Sequence, residues 1–111
     1  MVNIAVFISG SGTNLQAIID GIKEKNINGN IKLVFSNRKN AYGLVRSLNE
    51  GIDTFYLNRK NFNNDEDYDE KIIEELEKKN IDLIVLAGYL NILSKNVSSL
   101  SLIIETLSVS I

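Results

Sequence analysis

The 111 residues contain no cysteine, no histidine and no proline. Without cysteine there can be no disulfide, no thiolate nucleophile and no cysteine metal ligand. Without histidine the commonest general acid–base and the commonest metal ligand are gone, and with them every Ser-His or Cys-His mechanism. Any chemistry has to come from Asp, Glu, Lys, Tyr or the backbone. The missing proline stands against an average usage of about 5%. A basic surplus is also lacking, because 14 acidic residues face 12 basic ones for a net charge of −2. That argues against a nucleic-acid partner. No apolar run approaches the ~20 residues a membrane span needs. The N-terminus opens on a strand-like run rather than a signal pattern, so the expected location is cytoplasmic, with no membrane partner and no metal.

What is present fits one α/β domain with a real core: 44% of residues are hydrophobic and the mean hydropathy is −0.01. Val2 to Ile8 is apolar and β-branched, a buried strand. Leu15, Ile18, Ile19 and Ile22 recur at helical spacing, ending near Lys23 to Lys25, with Gly29 marking the following turn. Ile31 to Phe35 is a second strand, closed by Ser36-Asn37-Arg38. Tyr42 to Leu48 reads as a second helix with Leu44, Val45 and Leu48 as its apolar stripe and Gly51 beyond its end. Ile52 to Leu57 is a third strand and Asn58 to Asp67 a polar loop. Asn64 or Asp65 caps a third helix, whose stripe is Tyr68, Ile72, Ile73 and Leu76. Asp65, Glu66 and Asp67 at its start and Lys78 and Lys79 at its end suit the helix dipole. These lysines and Lys23 to Lys25 read as solvated helix ends. Leu83 to Ala87 is a continuous apolar run, as in a central parallel strand.

Strand and helix alternate, which predicts a Rossmann-like doubly wound parallel sheet in the order 3-2-1-4. The switch point then falls between strands 1 and 4. The loops that leave them, Ser9 to Asn14 and Gly88 to Leu93, are expected to face one crevice.

Ser9-Gly10-Ser11-Gly12-Thr13-Asn14 joins a strand to a helix N-terminus, where free N–H groups and the helix dipole favour an anion. A plain tight turn would also use these glycines; the surrounding hydroxyl and amide side chains favour a phosphate. The dinucleotide fingerprint is incomplete, because Leu15 stands at its third glycine and no acid follows strand 2. The P-loop pattern is absent as well. A terminal phosphate on a small molecule fits better than NAD or ATP. For Tyr89 to Leu93, ordinary packing and ligand contact are both open, with Asn91 the polar side chain able to reach a ligand.

The stretches SGSGTNLQAIID, VFSNRKNAYGL and DLIVLAGYLNILS, in that order, resemble the phosphoribosylglycinamide formyltransferase family from Met1 to about Ser94. The resemblance implies a transferase of de novo purine biosynthesis that moves a formyl group from 10-formyltetrahydrofolate, its cosubstrate, to glycinamide ribonucleotide. It implies that Gly12, Thr13 and Asn14 contact the ribonucleotide, chiefly its phosphate, and that Leu90, Asn91, Ile92 and Leu93 line the folate pterin pocket. Two positions depart from the family: Asn91 stands where a basic residue is frequent, and Asp65 where a folate-contacting Arg or Lys is found. Both count against folate affinity.

The family continues after its Leu-Ser with a helix, a strand ending in Asn-x-His-Pro-Ser and, later, an Asp, the groups that carry catalysis. Here the alignment sets Glu105 at the Asn position and Leu107 at the His position. Residues 98–111 carry one charge, Glu105, and five serines among apolar residues. Leu102 to Leu107 is either a fifth strand or a sticky tail. The reading is a phosphate-binding half over residues 1–95 and a divergent tail over 96–111, out of frame or truncated before the catalytic motif. No catalytic residue is assigned, the chain is expected to be inactive alone, and an uncovered sheet edge invites self-association. The alternatives are a ribonucleotide phosphate-binding half-domain without catalysis and, less favoured, a dinucleotide-binding module.

Overall fold

Strand β1 (Val2–Ile8) lies at the centre of a five-stranded parallel sheet in the order β3-β2-β1-β4-β5. This is seen in a computed structural model, which describes residues 1–106. The flanking strands are β2 (Gly29–Ser36), β3 (Thr54–Tyr56), β4 (Leu83–Ala87) and β5 (Leu102–Thr106). Helices α1 (Thr13–Lys23), α2 (Tyr42–Asn49), α3 (Asp65–Lys78) and α4 (Lys95–Ser98) connect them, with a 3₁₀ turn at Arg59–Asn61. The expected 3-2-1-4 order is present, extended by β5. Of the two readings open for Leu102 to Leu107, the strand holds as far as Thr106; Leu107 lies outside the described residues.

Alternation along β1 divides the core into two layers. Ile4, Val6 and Ile8 pack with Leu15 and Ile19 of α1 and with Val34, Val85 and Ala87. Ala5 and Phe7 face the other way, onto Leu33, Phe35, Ile84, Val97 of α4 and the α3 stripe Tyr68, Ile72 and Leu76. Ile73 of the expected stripe packs at that layer's margin. Phe7 and Phe35 are fully buried, and each such side chain contributes about 1.5–3 kcal/mol. The β1–β2 register shifts between Ile4 and Ala5, which pair with Ile31 and Leu33. The extra residue, Lys32, reverses the phase of β2, so Ile31 faces the α1 layer while Leu33 and Phe35 face α3.

Gly29 is not a turn residue: it begins β2 opposite Val2, and a Cβ there would sit 2.6 Å from Ile4 Cδ1. The turn comes earlier, at Lys25, whose φ of 64° closes α1. Lys25 N–H bonds to Ile22 O at 3.0 Å and Asn26 N–H to Gly21 O at 2.9 Å, a Schellman pair. Helices α2 and α3 close the same way around Gly51 and Asn80. Asn64 rather than Asp65 caps α3, its Oδ1 accepting from Asp67 N–H at 2.8 Å. Three of the helix-end lysines are paired rather than simply solvated: Lys23 reaches Glu50 at 2.6 Å, Lys78 reaches Glu75 at 3.2 Å, and Lys79 pairs with Asp53.

The second helix differs from its expected pattern. Val45 and Leu48 are 43% and 64% exposed, and its buried residues are Gly43 and Ser47. A face of small residues lets the helix lie close to the loop after β1.

Candidate functional site

The chain leaves β1 at Ser9, and glycine is then required at Gly12 on two counts. Its φ is +77°, and a Cβ there would meet the Gly43 backbone, 2.6 Å from Gly43 Cα. This contact of two glycines brings the N-termini of α1 and α2 together. Gly43 N–H donates to Gly10 O at 3.1 Å. Arg46, one turn further along α2, donates from Nε to Ser11 O at 2.8 Å and from Nη1 to Gln16 Oε1 at 3.3 Å. Its guanidinium lies 5.1 Å from the centre of the Tyr42 ring. The loop's outward carbonyls are therefore taken up by α2.

Helix capping separates this site from the rest of the molecule. Asn64 and Ser94 cap α3 and α4 with their side chains. Neither α1, entered through Gly12, nor α2, entered through Ala41, has a side-chain cap. The first turn of a helix carries N–H donors that no intrahelical carbonyl can satisfy. At α2 the Gly43 and Leu44 N–H groups are already taken by Gly10 O and Ala41 O, so α2 adds its dipole while the first turn of α1 supplies the donors where an anion would sit. Beside them a 320 Å³ cleft is lined by Ser9, Gly10, Ser11, Arg38, Asn40, Ala41 and Tyr42. Of the residues expected to bind phosphate, Gly12 is buried as the N-cap, Thr13 is exposed and Asn14 is half-buried in the first turn of α1. The cleft is lined by none of these three and adds Arg38, a cation to which the sequence assigns no role. No acid stands at the end of β2: Ser36 Oγ accepts from Arg38 N–H at 3.0 Å and donates to Arg38 O at 2.8 Å. That turn offers no carboxylate for a ribose diol, which disfavours a dinucleotide.

The second loop leaves β4 through Gly88, with φ +72°. Tyr89 turns inward, its ring 5.4 Å from Phe7 and 6.1 Å from Phe35. Burial, followed by the neighbouring Tyr68, pushes the Tyr89 hydroxyl far above the usual phenol range, so it stays neutral and able to donate. The Tyr68 hydroxyl is raised as well, again chiefly by burial. The two hydroxyls lie near each other, and Tyr68 Oη is buried without a hydrogen-bond partner. Leu90 and Ile92 are 68% and 91% exposed, and Asn91 is exposed with Oδ1 accepting from Ile92 N–H at 2.9 Å. Leu93 packs under the sheet beside Tyr89. Leu90 N–H donates to Ser9 Oγ at 2.7 Å, so the two loops do meet at the carboxyl ends of β1 and β4. Asp65 is matched by Arg59, Nε to Oδ1 at 2.6 Å.

Larger hollows of 370 and 490 Å³ lie at the opposite, amino end of the sheet, around Asn3, Asn30 and Asp53. Doubly wound sheets bind ligands outside the carboxyl ends of their strands, which favours the smaller cleft. Among the described residues, no three Asp or Glu converge as a metal group would require, and no helix is long and apolar enough to cross a membrane.

The model of the formyl transferase family matches residues 2–102. The chain belongs to the formyl transferase family. Over 92 residues it is 47% identical to phosphoribosylglycinamide formyltransferase of Escherichia coli, covering 83% of this chain and 43% of that one. The enzyme of the same name from Haemophilus influenzae is 48% identical over 94 residues, covering 85% and 44%. The crystal structure of glycinamide ribonucleotide transformylase 1 from Symbiobacterium toebii superposes with a TM-score of 0.89 at 36% identity, over 95% of this chain and 50% of that one. This formyl transferase chain thus spans less than half the length of the two curated relatives. Of the positions aligned with the catalytic Asn and His, Glu105 falls in β5 and Leu107 lies outside the described residues.

Proposed function

We propose that these residues form the ribonucleotide-holding half of a phosphoribosylglycinamide formyltransferase, acting in purine biosynthesis in the cytoplasm. Gly12, Thr13 and Asn14 take the phosphate of glycinamide ribonucleotide through their backbone N–H groups and the Thr and Asn side chains. Leu90, Asn91, Ile92 and Leu93 line the pocket for the pterin of 10-formyltetrahydrofolate. The observation that carries the reading is the meeting of two helices without side-chain caps at the Gly12–Gly43 contact. A glycine N-cap such as Gly12 costs roughly a few tenths of a kcal/mol against Ser, Thr, Asn or Asp, and a dianion bound at the first turn of α1 would recover it. The exposed Leu90 and Ile92 offer the apolar surface a flat ring would cover.

Formyl transfer passes through a tetrahedral, oxyanion-bearing intermediate whose charge must be stabilised and whose protons must be moved. The 111 residues contain no imidazole for that task. The function proposed for this chain by itself is therefore binding, and turnover requires groups beyond these residues. The reading includes no nucleic-acid or membrane partner. It includes self-association of copies through β5, where Leu102 and Ile104 continue the α1 layer but are 70% and 47% exposed.

The test is a titration with glycinamide ribonucleotide followed by amide NMR. Shifts at Gly12, Thr13 and Asn14 that saturate are expected; unmoved amides there would refute the proposal.

A further inference from the structure

Ser9 occupies a position that phosphate binding does not require. It is 3% exposed, and its hydroxyl carries two hydrogen bonds to distant parts of the chain. Oγ accepts from Leu90 N–H at 2.7 Å and donates to Asn37 Oδ1 at 2.6 Å. One oxygen therefore ties together the segments that leave β1, β2 and β4, three adjacent strands. Because the same hydroxyl is both donor and acceptor, the two bonds polarise each other.

The loop after β4 depends on this tie. It starts at Gly88, which has a φ of +72° and open space where a side chain would stand. From there to the Ser94 cap, the loop is anchored at one end by the Tyr89 ring and at the other by half-buried Leu93. Between those anchors Leu90, Asn91 and Ile92 are exposed, and the bond from Leu90 N–H to Ser9 joins them to the anion loop. Their position is thus set from the first residue of the anion loop.

We propose that Ser9 is a positioning residue that latches the Leu90–Leu93 loop to the Ser9–Asn14 loop, so that an anion held by one loop orders the other. With the latch made, Leu90 N–H is bonded to Ser9; with it broken, that N–H turns to water. A phosphate that draws the anion loop into a single conformation favours the first state by holding Ser9 in register. The coupling to an anion rests on the phosphate site proposed above, whereas the latch itself does not.

The test follows amide hydrogen exchange by NMR in the 111-residue chain, with ribose 5-phosphate as the probe. Ser9→Ala should speed exchange at Leu90 at least tenfold while Val6 and Val85 in the core keep their rates, and Ser9→Thr should restore it. Should Ser9→Ala also speed the core, Ser9→Cys replaces it: near-equal in size and a weak acceptor, it should speed Leu90 alone. Leu90 exchange unchanged in the variant with an intact core overturns the latch. Saturating ribose 5-phosphate should slow Leu90 exchange in the wild type and not in the Ser9 variant. Shifts at Gly12–Asn14 without slowing at Leu90 overturn the coupling alone. No shift at Gly12–Asn14 overturns the phosphate site, and the ligand-free comparison at Leu90 still decides the latch.

Discussion

Replacing Gly12 with alanine tests the geometry on which the site is built. The new Cβ would lie 2.6 Å from Gly43 Cα and 3.3 Å from Gly43 N. Ordinary carbon–carbon contact begins at about 3.5 Å, and the nearest neighbour is backbone, so no side chain can swing aside. Helices α1 and α2 would have to separate, straining the 3.1 Å bond from Gly43 N–H to Gly10 O. Overpacking of this kind typically costs about 1–3 kcal/mol. The positive φ adds about 1–2 kcal/mol for a residue with a Cβ. The expected loss is about 2–5 kcal/mol, a large part of the stability of a small domain, equivalent to a drop of roughly 8–20 °C in Tm. Gly10→Ala is the matched control: nothing lies within 4 Å of its Cβ, and the cost should stay below about 0.5 kcal/mol. Urea unfolding followed by circular dichroism measures both. A Gly12→Ala chain within 0.5 kcal/mol of wild type, on the scale of an ordinary surface change, would refute the argument. So would a Gly10→Ala chain equally destabilised.

Four further outcomes are expected. Lys25 holds a left-handed conformation at the end of α1, so Lys25→Gly should raise stability by up to about 1 kcal/mol in urea unfolding; a loss instead would mean its side chain contributes to the native state. Tyr68→Phe removes a buried, unsatisfied hydroxyl and should be neutral or stabilising. The raised phenols of Tyr68 and Tyr89 mean that above pH ~10 the unfolded chain releases protons the folded chain retains. Stability should therefore be constant with respect to these groups below pH ~10 and fall above it, by at most about 1.4 kcal/mol per pH unit per group. The fall should shrink in Tyr89→Phe, and an unchanged alkaline slope would count against a buried Tyr89 hydroxyl. Ile104→Lys should lower the sedimentation coefficient at high concentration if β5 carries self-association, and identical profiles for the two chains would exclude that face.

How far the sequence reveals this molecule depends on what holds each element. Strands β1 and β4 and helix α3 are held by apolar burial, and their runs and stripes appear in the residue pattern and recur in the structure. Helix α2 is held by the opposite device. Of its expected stripe Leu44, Val45 and Leu48, only Leu44 packs against the core, because the helix approaches the β1 loop through Gly43 and Ser47, and small residues leave no hydrophobic period to read. The surrounding polar contacts were equally hidden. Arg46 to Ser11 spans 35 residues, and Ser9 to Leu90 spans 81; a serine in a serine- and glycine-rich loop carries no local mark of its distant partner. The one signal within reach was the glycine-serine spacing of α2, Gly43 and Ser47 four residues apart on one helical face. The scaffold was therefore legible while the site was only half so. Apolar periodicity reports where the chain is buried, whereas an anion cradle is made from backbone groups left free and from side chains small enough not to cover them.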